Sequence, residues 1–168
     1  MESKFKRIVL HWTAGASTPS AYDKQFYHYL IDAKGNIING IHKPEDNLIC
    51  QDGSYAAHCG GGNTGAIGVA LCGMANFSYT TLKTPYHLTK IQLESMFSFV
   101  AKLCKRYNLD VTKDSVLTHF EFGLDHPDTT SSGKIDICYM QPYSAVHKYQ
   151  VGNFIRSKVK WYLDKQLA

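Results

Sequence analysis

Two histidines stand at the ends of apolar runs, where a polar side chain is not needed for packing. His11 follows Ile8-Val9-Leu10, and His119 ends the short run that begins at residue 115. In open α/β sheets, functional sites form beyond the ends of strands, where several elements converge. We therefore predict that the two imidazoles meet, although each of them, taken singly, is more often a core histidine with a backbone partner.

A lysine and an aspartate two residues apart provide charged groups for the same site. On an extended backbone, Lys134 and Asp136 would project from one face while Ile135 packs on the other. Two imidazoles and one carboxylate are the ligand set of a catalytic zinc, with a fourth position left for water. Zinc would lower the pKa of that water from about 15.7 towards about 7. A lone Lys-x-Asp triplet, by contrast, is usually a surface ion pair.

Other residues assist or compete for these roles. Lys134 is suited to stabilise the negative charge that develops on the oxygen of an attacked amide. Tyr27 could hydrogen-bond the attacking water or that oxygen, although an aromatic residue in a strand more often serves packing. Cys138 lies two residues after Asp136, so its side chain would project from the same face of an extended backbone. It becomes the third ligand if the strand register differs. His126 is a further alternative at that position.

The cysteines leave two alternatives open. Five cysteines form an odd set without a Cys-x-x-Cys pair, which indicates synthesis in a reducing compartment but leaves open a bridge between Cys50 and Cys59. A cysteine hydrolase that pairs Cys59 or Cys138 with a histidine is a second alternative, because thiol–imidazole pairs also hydrolyse amides.

The elements that must position these residues alternate between strand and helix. Apolar runs predict strands at residues 6–11, 26–31, 36–40, 66–73 and 115–119, with a hairpin turn at 32–35. A short helix is predicted around 20–25, and residues 42–65 and 121–144 are predicted to be irregular. The order predicts one α/β domain over residues 1–168, with a central mixed β-sheet flanked by helices.

Two longer helices complete this prediction. Thr89 and Gln92 form a capping box, and apolar residues then repeat on one face as far as Tyr107. A terminal helix is predicted at about 153–165. The apolar residues of both helices are assigned to the core and to no chemistry.

Composition limits the classes of function. Of the 168 residues, 44% are apolar, which is sufficient for one sizeable core. The net charge of +4 favours approach to anionic surfaces. No basic cluster alternates with aromatic residues, so we expect no nucleic-acid partner. No apolar run approaches the roughly 20 residues of a membrane span. We expect a monomer that is made in the cytoplasm without a signal peptide.

Four ordered segments resemble a known family. They are residues 7–14 (Arg-Ile-Val-Leu-His-Trp-Thr-Ala), 27–36 (Tyr-His-Tyr-Leu-Ile-Asp-Ala-Lys-Gly-Asn), 58–73 (His-Cys-Gly-Gly-Gly-Asn-Thr-Gly-Ala-Ile-Gly-Val-Ala-Leu-Cys-Gly), and 118–121 (Thr-His-Phe-Glu) with 134–136 (Lys-Ile-Asp). Their order, over about residues 6–137, resembles the zinc N-acetylmuramoyl-L-alanine amidases. That family includes phage endolysins similar to T7 lysozyme and relatives of the peptidoglycan recognition proteins.

The resemblance implies a role for each matching position. His11, His119 and Asp136 match the zinc ligands, and Lys134 matches the catalytic lysine two residues before the third ligand. Tyr27 matches a tyrosine that positions the attacking water. The gap between His119 and Lys134 is longer than in T7 lysozyme, by a segment that contains His126 and Asp128.

Further positions concern the substrate groove and the choice of catalytic route. His58 and Asn63 match the loop that borders the groove, where substrate or oxyanion contacts are expected. The glutamate used by another branch of the family would fall at Ala70, which cannot act as a base. An active enzyme would therefore follow the tyrosine route.

The resemblance implies zinc-dependent hydrolysis of the amide between N-acetylmuramic acid and L-alanine in bacterial peptidoglycan. The compact length without an added wall-binding domain fits a phage or prophage endolysin, which reaches the cell wall through lysis machinery or a virion. Some relatives lack a zinc ligand and only bind peptidoglycan, so a non-catalytic binding module is the other alternative. The ligand positions and Lys134 are chemically competent in this sequence.

Overall fold

The computed structural model describes residues 4–167, and side chains as far as residue 166. Five strands form one mixed sheet: β1 (Arg7–Trp12), β2 (Tyr29–Ile31), β3 (Ile37–Asn39), β4 (Ala66–Leu71) and β5 (Val116–Thr118). Their spatial order is β3-β2-β4-β1-β5. The pairs β1–β4, β1–β5 and β2–β4 are parallel, and the β2–β3 hairpin is antiparallel. The predicted mixed α/β sheet is confirmed.

Within the described residues, three α-helices flank the sheet: α1 (Lys90–Tyr107), α2 (His119–Asp125) and α3 (Val151–Leu167). The predicted capping box of α1 is present, since the Thr89 side chain accepts a hydrogen bond from the Gln92 amide and Gln92 reciprocates. Short 3-10 turns occupy Asp23–Gln25, Pro44–Leu48, Gln141–Tyr143 and Lys148–Gln150. None of the helices described between residues 4 and 167 combines the length and apolar character that crossing a membrane requires.

The two faces of the sheet carry side chains of different size. Ile8 and Leu10 of β1 join the main apolar core with Ile67, Val69 and Leu71 of β4, on the face covered by α1 and α3. Because side chains alternate along a strand, the opposite face receives His11 from β1 and Ala66, Gly68 and Ala70 from β4. This opposite face is called the cleft face below.

The structure corrects two predictions about local structure. His119 is the first residue of α2 rather than the end of a strand, because Thr118 and Glu121 form a capping box that starts a helix there. Residues 121–144 are therefore only partly irregular. Residues 134–136 lie outside the strands and follow a turn at Gly133, whose φ is +83°. Ile135 is 41% exposed rather than packed.

Candidate metal centre and substrate cleft

Three potential metal ligands meet at the cleft face, as the sequence predicts. Nδ1 of His11 lies 3.0 Å from Oδ2 of Asp136, and Nδ1 of His119 lies 3.4 Å from the same oxygen. One ligand atom from each residue lies within 4.8 Å of the others. With zinc–ligand bonds of about 2.0–2.1 Å, tetrahedral coordination separates ligand atoms by about 3.3 Å. The spacing and the chemistry of the donors therefore fit a zinc ion.

The strands and α2 bring these ligands together from distant parts of the chain. His11 is carried by the buried central strand β1, so its backbone is fixed by β4 on one side and β5 on the other. His119 occupies the first turn of α2, and the neighbouring Phe120 amide donates to the carbonyl of Asp136. Asp136 is thereby tied to the helix that carries its partner.

An ion pair anchors the start of α2. Arg156 of α3 makes two hydrogen bonds of 2.9 Å to the Glu121 carboxylate and one of 3.0 Å to the Val116 carbonyl. The same carboxylate accepts from the Thr118 amide. A bidentate arginine–carboxylate pair fixes orientation as well as distance. It holds the first turn of α2, and with it His119, against β5 and α3.

Burial and hydrogen bonding shift the pKa values of the ligand side chains in different directions. Burial lowers the pKa of His11 to about 4, outweighing its hydrogen bond to Asp136. Burial alone would lower the pKa of His119, but its hydrogen bonds to Asp136 and Cys59 and the charge of Asp136 together raise it to about 9. Burial opposes ionisation of Asp136, but its hydrogen bonds to both histidines keep its pKa below the usual range. The carboxylate is therefore ionised at neutral pH.

The ligands lie beside a cleft of about 750 Å³. Tyr27, His58, Asn63, His119, Lys134 and Asp136 all line it, together with aromatic side chains that include Trp12, Tyr22, Phe26 and Phe77. The ring centroids of Tyr27 and His11 are 5.1 Å apart. An open cleft with aromatic walls and a few convergent polar groups is typical of a substrate site.

A sequence model of N-acetylmuramoyl-L-alanine amidase matches residues 1–138. The chain belongs to the N-acetylmuramoyl-L-alanine amidase family. Among curated proteins, no sequence matches the chain significantly.

Solved structures with the same fold include further amidases. AmpDh3 from Pseudomonas aeruginosa, solved with an anhydromuramic pentapeptide, is 18% identical with a TM-score of 0.55, over 89% of this chain and 60% of that one. PlyL is 19% identical with a TM-score of 0.51, over 94% of this chain and 85% of that one. AmiD from E. coli is 18% identical with a TM-score of 0.51, over 82% and 54%. At these identities, the likeness shows a shared amidase fold.

The two residues predicted to bind substrate in this amidase-family cleft differ in their surroundings. The imidazole of His58 is buried and lies between His11 and the backbone of β4. The side-chain oxygen of Asn63 accepts hydrogen bonds from the amides of His58 and Cys59, which orders the loop. Substrate contacts by either residue stay a prediction.

The alternative ligands His126 and Cys138 lie outside the group formed by His11, His119 and Asp136, and the possible disulfide is not formed. His126 is exposed, stacks on Phe122 and bonds to its carbonyl. Cys138 is buried outside the group of ligand atoms, and burial raises the pKa of its thiol to about 11. All five cysteines, which lie within residues 4–167, are free thiols, so Cys50 and Cys59 are not bridged.

Sequence reasoning missed Ser131, which is fully buried and accepts a hydrogen bond from Nε2 of His119 at 2.9 Å. It also missed the Arg156–Glu121 pair. The Thr118-x-x-Glu121 spacing was a readable signal for the helix start, but no local pattern marks a serine in an irregular segment as a histidine partner.

Proposed function

We propose that this chain is a zinc-dependent amidase that cleaves the bond between N-acetylmuramic acid and L-alanine in peptidoglycan. One observation carries the proposal: two Nδ1 atoms and one carboxylate oxygen converge at zinc spacing beside a cleft that also contains Tyr27 and Lys134. Membership of the amidase family supports the choice of bond. The relatives support the substrate class, since AmiD was solved with a substrate described as anhydro-N-acetylmuramic acid-L-Ala-D-γ-Glu-L-Lys.

His11, His119 and Asp136 would hold the zinc in this proposal. Bound zinc supplies Lewis acidity, which lowers the pKa of water towards neutrality and polarises an amide carbonyl. In the metal-free site, hydrogen bonds from the two histidines already keep the pKa of Asp136 low, and as a zinc ligand Asp136 would contribute a full negative charge. The two imidazoles contribute neutral nitrogen ligands, so one positive charge remains to favour an attacked amide as it becomes anionic.

Tyr27 and Lys134 would act on the reacting amide from the cleft walls. Burial and the nearby Asp136 carboxylate raise the pKa of Tyr27, so its phenol keeps its hydrogen and donates it at neutral pH. It can thus orient the attacking water or stabilise the oxyanion, but it cannot serve as a phenolate base. Lys134 places an ammonium at the cleft, where positive charge stabilises the developing oxyanion.

The burial of Cys59 and Cys138 and their position outside the cleft favour metal chemistry over thiol chemistry. Neither Cys59 nor Cys138 is among the residues that line the cleft. Cys59 has no exposed surface, and the raised pKa of Cys138 leaves little thiolate at neutral pH. A thiol nucleophile needs both access to the substrate and a substantial thiolate fraction.

Digestion of purified peptidoglycan, combined with metal analysis, tests the proposal. We expect one zinc per chain, and mass spectra that show free stem peptides with an L-alanine amino terminus. A chelator should stop the release of peptides, and added zinc should restore it. Metal-independent cleavage would indicate a cysteine hydrolase, and binding of peptidoglycan without cleavage would indicate a recognition module. Either result refutes the proposal.

The biological setting is a further proposal that rests on the activity. We propose action on the cell wall during lysis, as in phage or prophage endolysins, by a monomer delivered by lysis machinery or a virion. The measurement is clearing of bacterial cells by protein added outside or released through a membrane pore, with the mass in solution determined in parallel. No clearing by either route would refute this role while leaving the amidase chemistry intact.

A further inference from the structure

A histidine binds a metal through a nitrogen that carries a lone pair. In a neutral imidazole only one ring nitrogen has a free lone pair, and the partner of the other nitrogen determines which tautomer forms. For Nδ1 of His11 and Nδ1 of His119 to face Asp136 as ligands, both rings must carry their hydrogen on Nε2. Nε2 of His11 is hydrogen-bonded to His58, and Nε2 of His119 is hydrogen-bonded to Ser131.

The chain of hydrogen bonds behind His11 passes through a second histidine. Nε2 of His58 lies 3.1 Å from the carbonyl oxygen of Ala66, which can only accept, so this nitrogen donates. The ring is buried, and its two nitrogens face that carbonyl and the imidazole of His11 rather than a carboxylate, so a neutral ring that accepts at Nδ1 satisfies both contacts. Nδ1 of His58 is 2.9 Å from Nε2 of His11. In the zinc-loaded protein His11 therefore donates from Nε2, and its Nδ1 is the nitrogen available to the metal.

The chain behind His119 passes through Ser131. The Ser131 hydroxyl donates to the carbonyl oxygen of Gly60 at 2.7 Å. The same oxygen lies 2.9 Å from Nε2 of His119. Since the serine hydrogen is already engaged, the hydroxyl oxygen accepts and His119 donates from Nε2. When zinc replaces the hydrogen that Nδ1 of His119 shares with Asp136, 3.4 Å away, Nδ1 is the nitrogen available to the metal.

Both chains end on backbone carbonyls of one segment, residues 58–66. We propose that this segment is a frame that fixes both metal-binding histidines in the Nε2–H tautomer, with His58 and Ser131 as positioning residues. The proposal rests on the zinc site of the proposed function and adds to it the residues that prepare the ligands. Partners of this kind typically change metal affinity by about 10–100-fold when they are removed.

Glycines allow the frame to approach its partners. A Cβ atom added to Gly68 of β4 would lie 2.6 Å from Cγ and 2.9 Å from Nδ1 of His58, so the imidazole rests directly on that backbone. A Cβ at Gly60 would collide with the side chain of Thr130, the neighbour of Ser131. Real Cβ atoms essentially never approach other heavy atoms to less than 3.0 Å. A side chain at Gly68 would therefore displace the imidazole of His58, and one at Gly60 would displace Thr130 beside Ser131.

Nitrogen NMR of the zinc-loaded protein reads the tautomers directly. Two-bond 1H–15N spectra with labelled histidine separate protonated, unprotonated and metal-bound ring nitrogens without any assay of catalysis. We expect His11, His58 and His119 each to carry hydrogen on Nε2, with zinc on Nδ1 of His11 and His119. Hydrogen on Nδ1 of His58, or zinc on Nε2 of either ligand, would overturn the proposal.

Zinc affinity of matched serine variants provides the second test. Ser131→Ala removes the acceptor behind His119, whereas Ser132→Ala removes an exposed hydroxyl one residue away. We expect the zinc Kd, measured by competition with a chelator, to rise about tenfold or more for Ser131→Ala and to be unchanged for Ser132→Ala. Thermal melts of the metal-free proteins establish that both variants fold. Equal zinc affinity of the two variants would overturn the role of Ser131.

His58→Phe tests the role of His58 behind His11, because it keeps a planar ring and removes both ring nitrogens. We expect a loss of zinc affinity similar to that of Ser131→Ala, and loss of the His11 Nε2–H signal in the NMR spectrum. Wild-type protein that binds zinc, together with two variants that bind it equally well, would refute the frame but leave the amidase proposal intact. Wild-type protein that binds no zinc would refute both.

Discussion

On the face of the sheet covered by α1 and α3, β4 presents Ile67, Val69 and Leu71, whereas on the cleft face the same strand presents Ala66, Gly68 and Ala70. The large side chains fill an apolar layer, whose stability comes from non-directional burial. The small ones leave room for the imidazoles of His28 and His58, which hydrogen-bond to the backbone of β4. The strand β4 thus provides packing on one face and space for polar groups on the other.

The two faces should therefore respond differently to substitution. A change in the apolar layer should lower the free energy of unfolding without changing the metal centre. A change on the cleft face should alter zinc affinity or turnover while the protein remains folded.

His119→Ala should abolish zinc binding and all activity, because it removes one of three ligands at the cleft face. Metal analysis and peptide release measure the two losses, and a thermal melt measures folding. His126→Ala is the control, since His126 is exposed and outside the ligand group. Retained zinc and activity in His119→Ala, or loss of zinc in His126→Ala, would contradict the assignment of His119 as a zinc ligand.

Phe97→Ala should lower the free energy of unfolding by about 3–5 kcal/mol, because it leaves a cavity in the apolar layer. Phe97 has no exposed surface, whereas Ile91 of the same helix is 62% exposed, so Ile91→Ala should change stability by no more than about 0.5 kcal/mol. Urea unfolding measures both values. The zinc affinity of folded Phe97→Ala should equal that of the wild type, and a large change there would show that the two faces are coupled.

Lys134→Ala should lower kcat by about 10²–10³, the usual cost of losing an oxyanion-stabilising group. Zinc content should be unchanged, because the side chain faces the cleft without joining the ligand group. Lys113, which lies 3.7 Å from Asp125, provides a control lysine outside the cleft. Steady-state kinetics on soluble muramyl peptides would measure the effect, and unchanged kcat would remove Lys134 from the mechanism.

Tyr27→Phe should lower kcat by about ten- to a hundredfold, since a hydrogen bond to a charged group contributes about 1.5–3 kcal/mol. The phenyl ring keeps its contact with His11, so zinc content and stability should stay the same. The pKa of Tyr27 is raised by burial, and the wild-type rate should consequently show no loss from its ionisation up to pH 9. Wild-type kcat in Tyr27→Phe would refute its role as a donor.

Acid should destabilise the cleft face through His28. Its Nδ1 accepts from the Gly68 amide, and burial lowers its pKa from 6.5 to about 4. As pH falls below about 6.5, the unfolded chain takes up the proton before the native state does, so stability decreases, by about 1–3 kcal/mol at pH 4. His28→Gln should flatten this part of the urea-unfolding profile, measured without metal. An unaltered profile would remove His28 as the cause.

The apolar side of the molecule was the more predictable one. The capping box at Thr89 and the helical repeat that follows depend on neighbours three and four residues apart, so the sequence predicted α1 within one residue of its observed start. The strand β1 also followed from its unbroken apolar run. Such patterns are local, and a sequence displays them directly.

The polar side was predicted only in part. His11 and His119 were expected to meet because both follow apolar runs, although the second one begins a helix. The role of Ser131 depends on a carbonyl of Gly60, and the environment of His58 depends on the missing side chain of Gly68. These hydrogen bonds join segments that are distant in sequence, and no local period encodes them.

X-ray absorption at the zinc edge tests the central claim most directly, because it identifies the atoms bound to the metal in solution. His11, His119 and Asp136 predict a first shell of nitrogen and oxygen at about 2.0–2.1 Å, with imidazole scattering beyond it. Replacement of Asp136 by alanine should remove one oxygen from that shell. A sulfur at about 2.3 Å in the wild-type protein would place a cysteine on the metal and contradict the account.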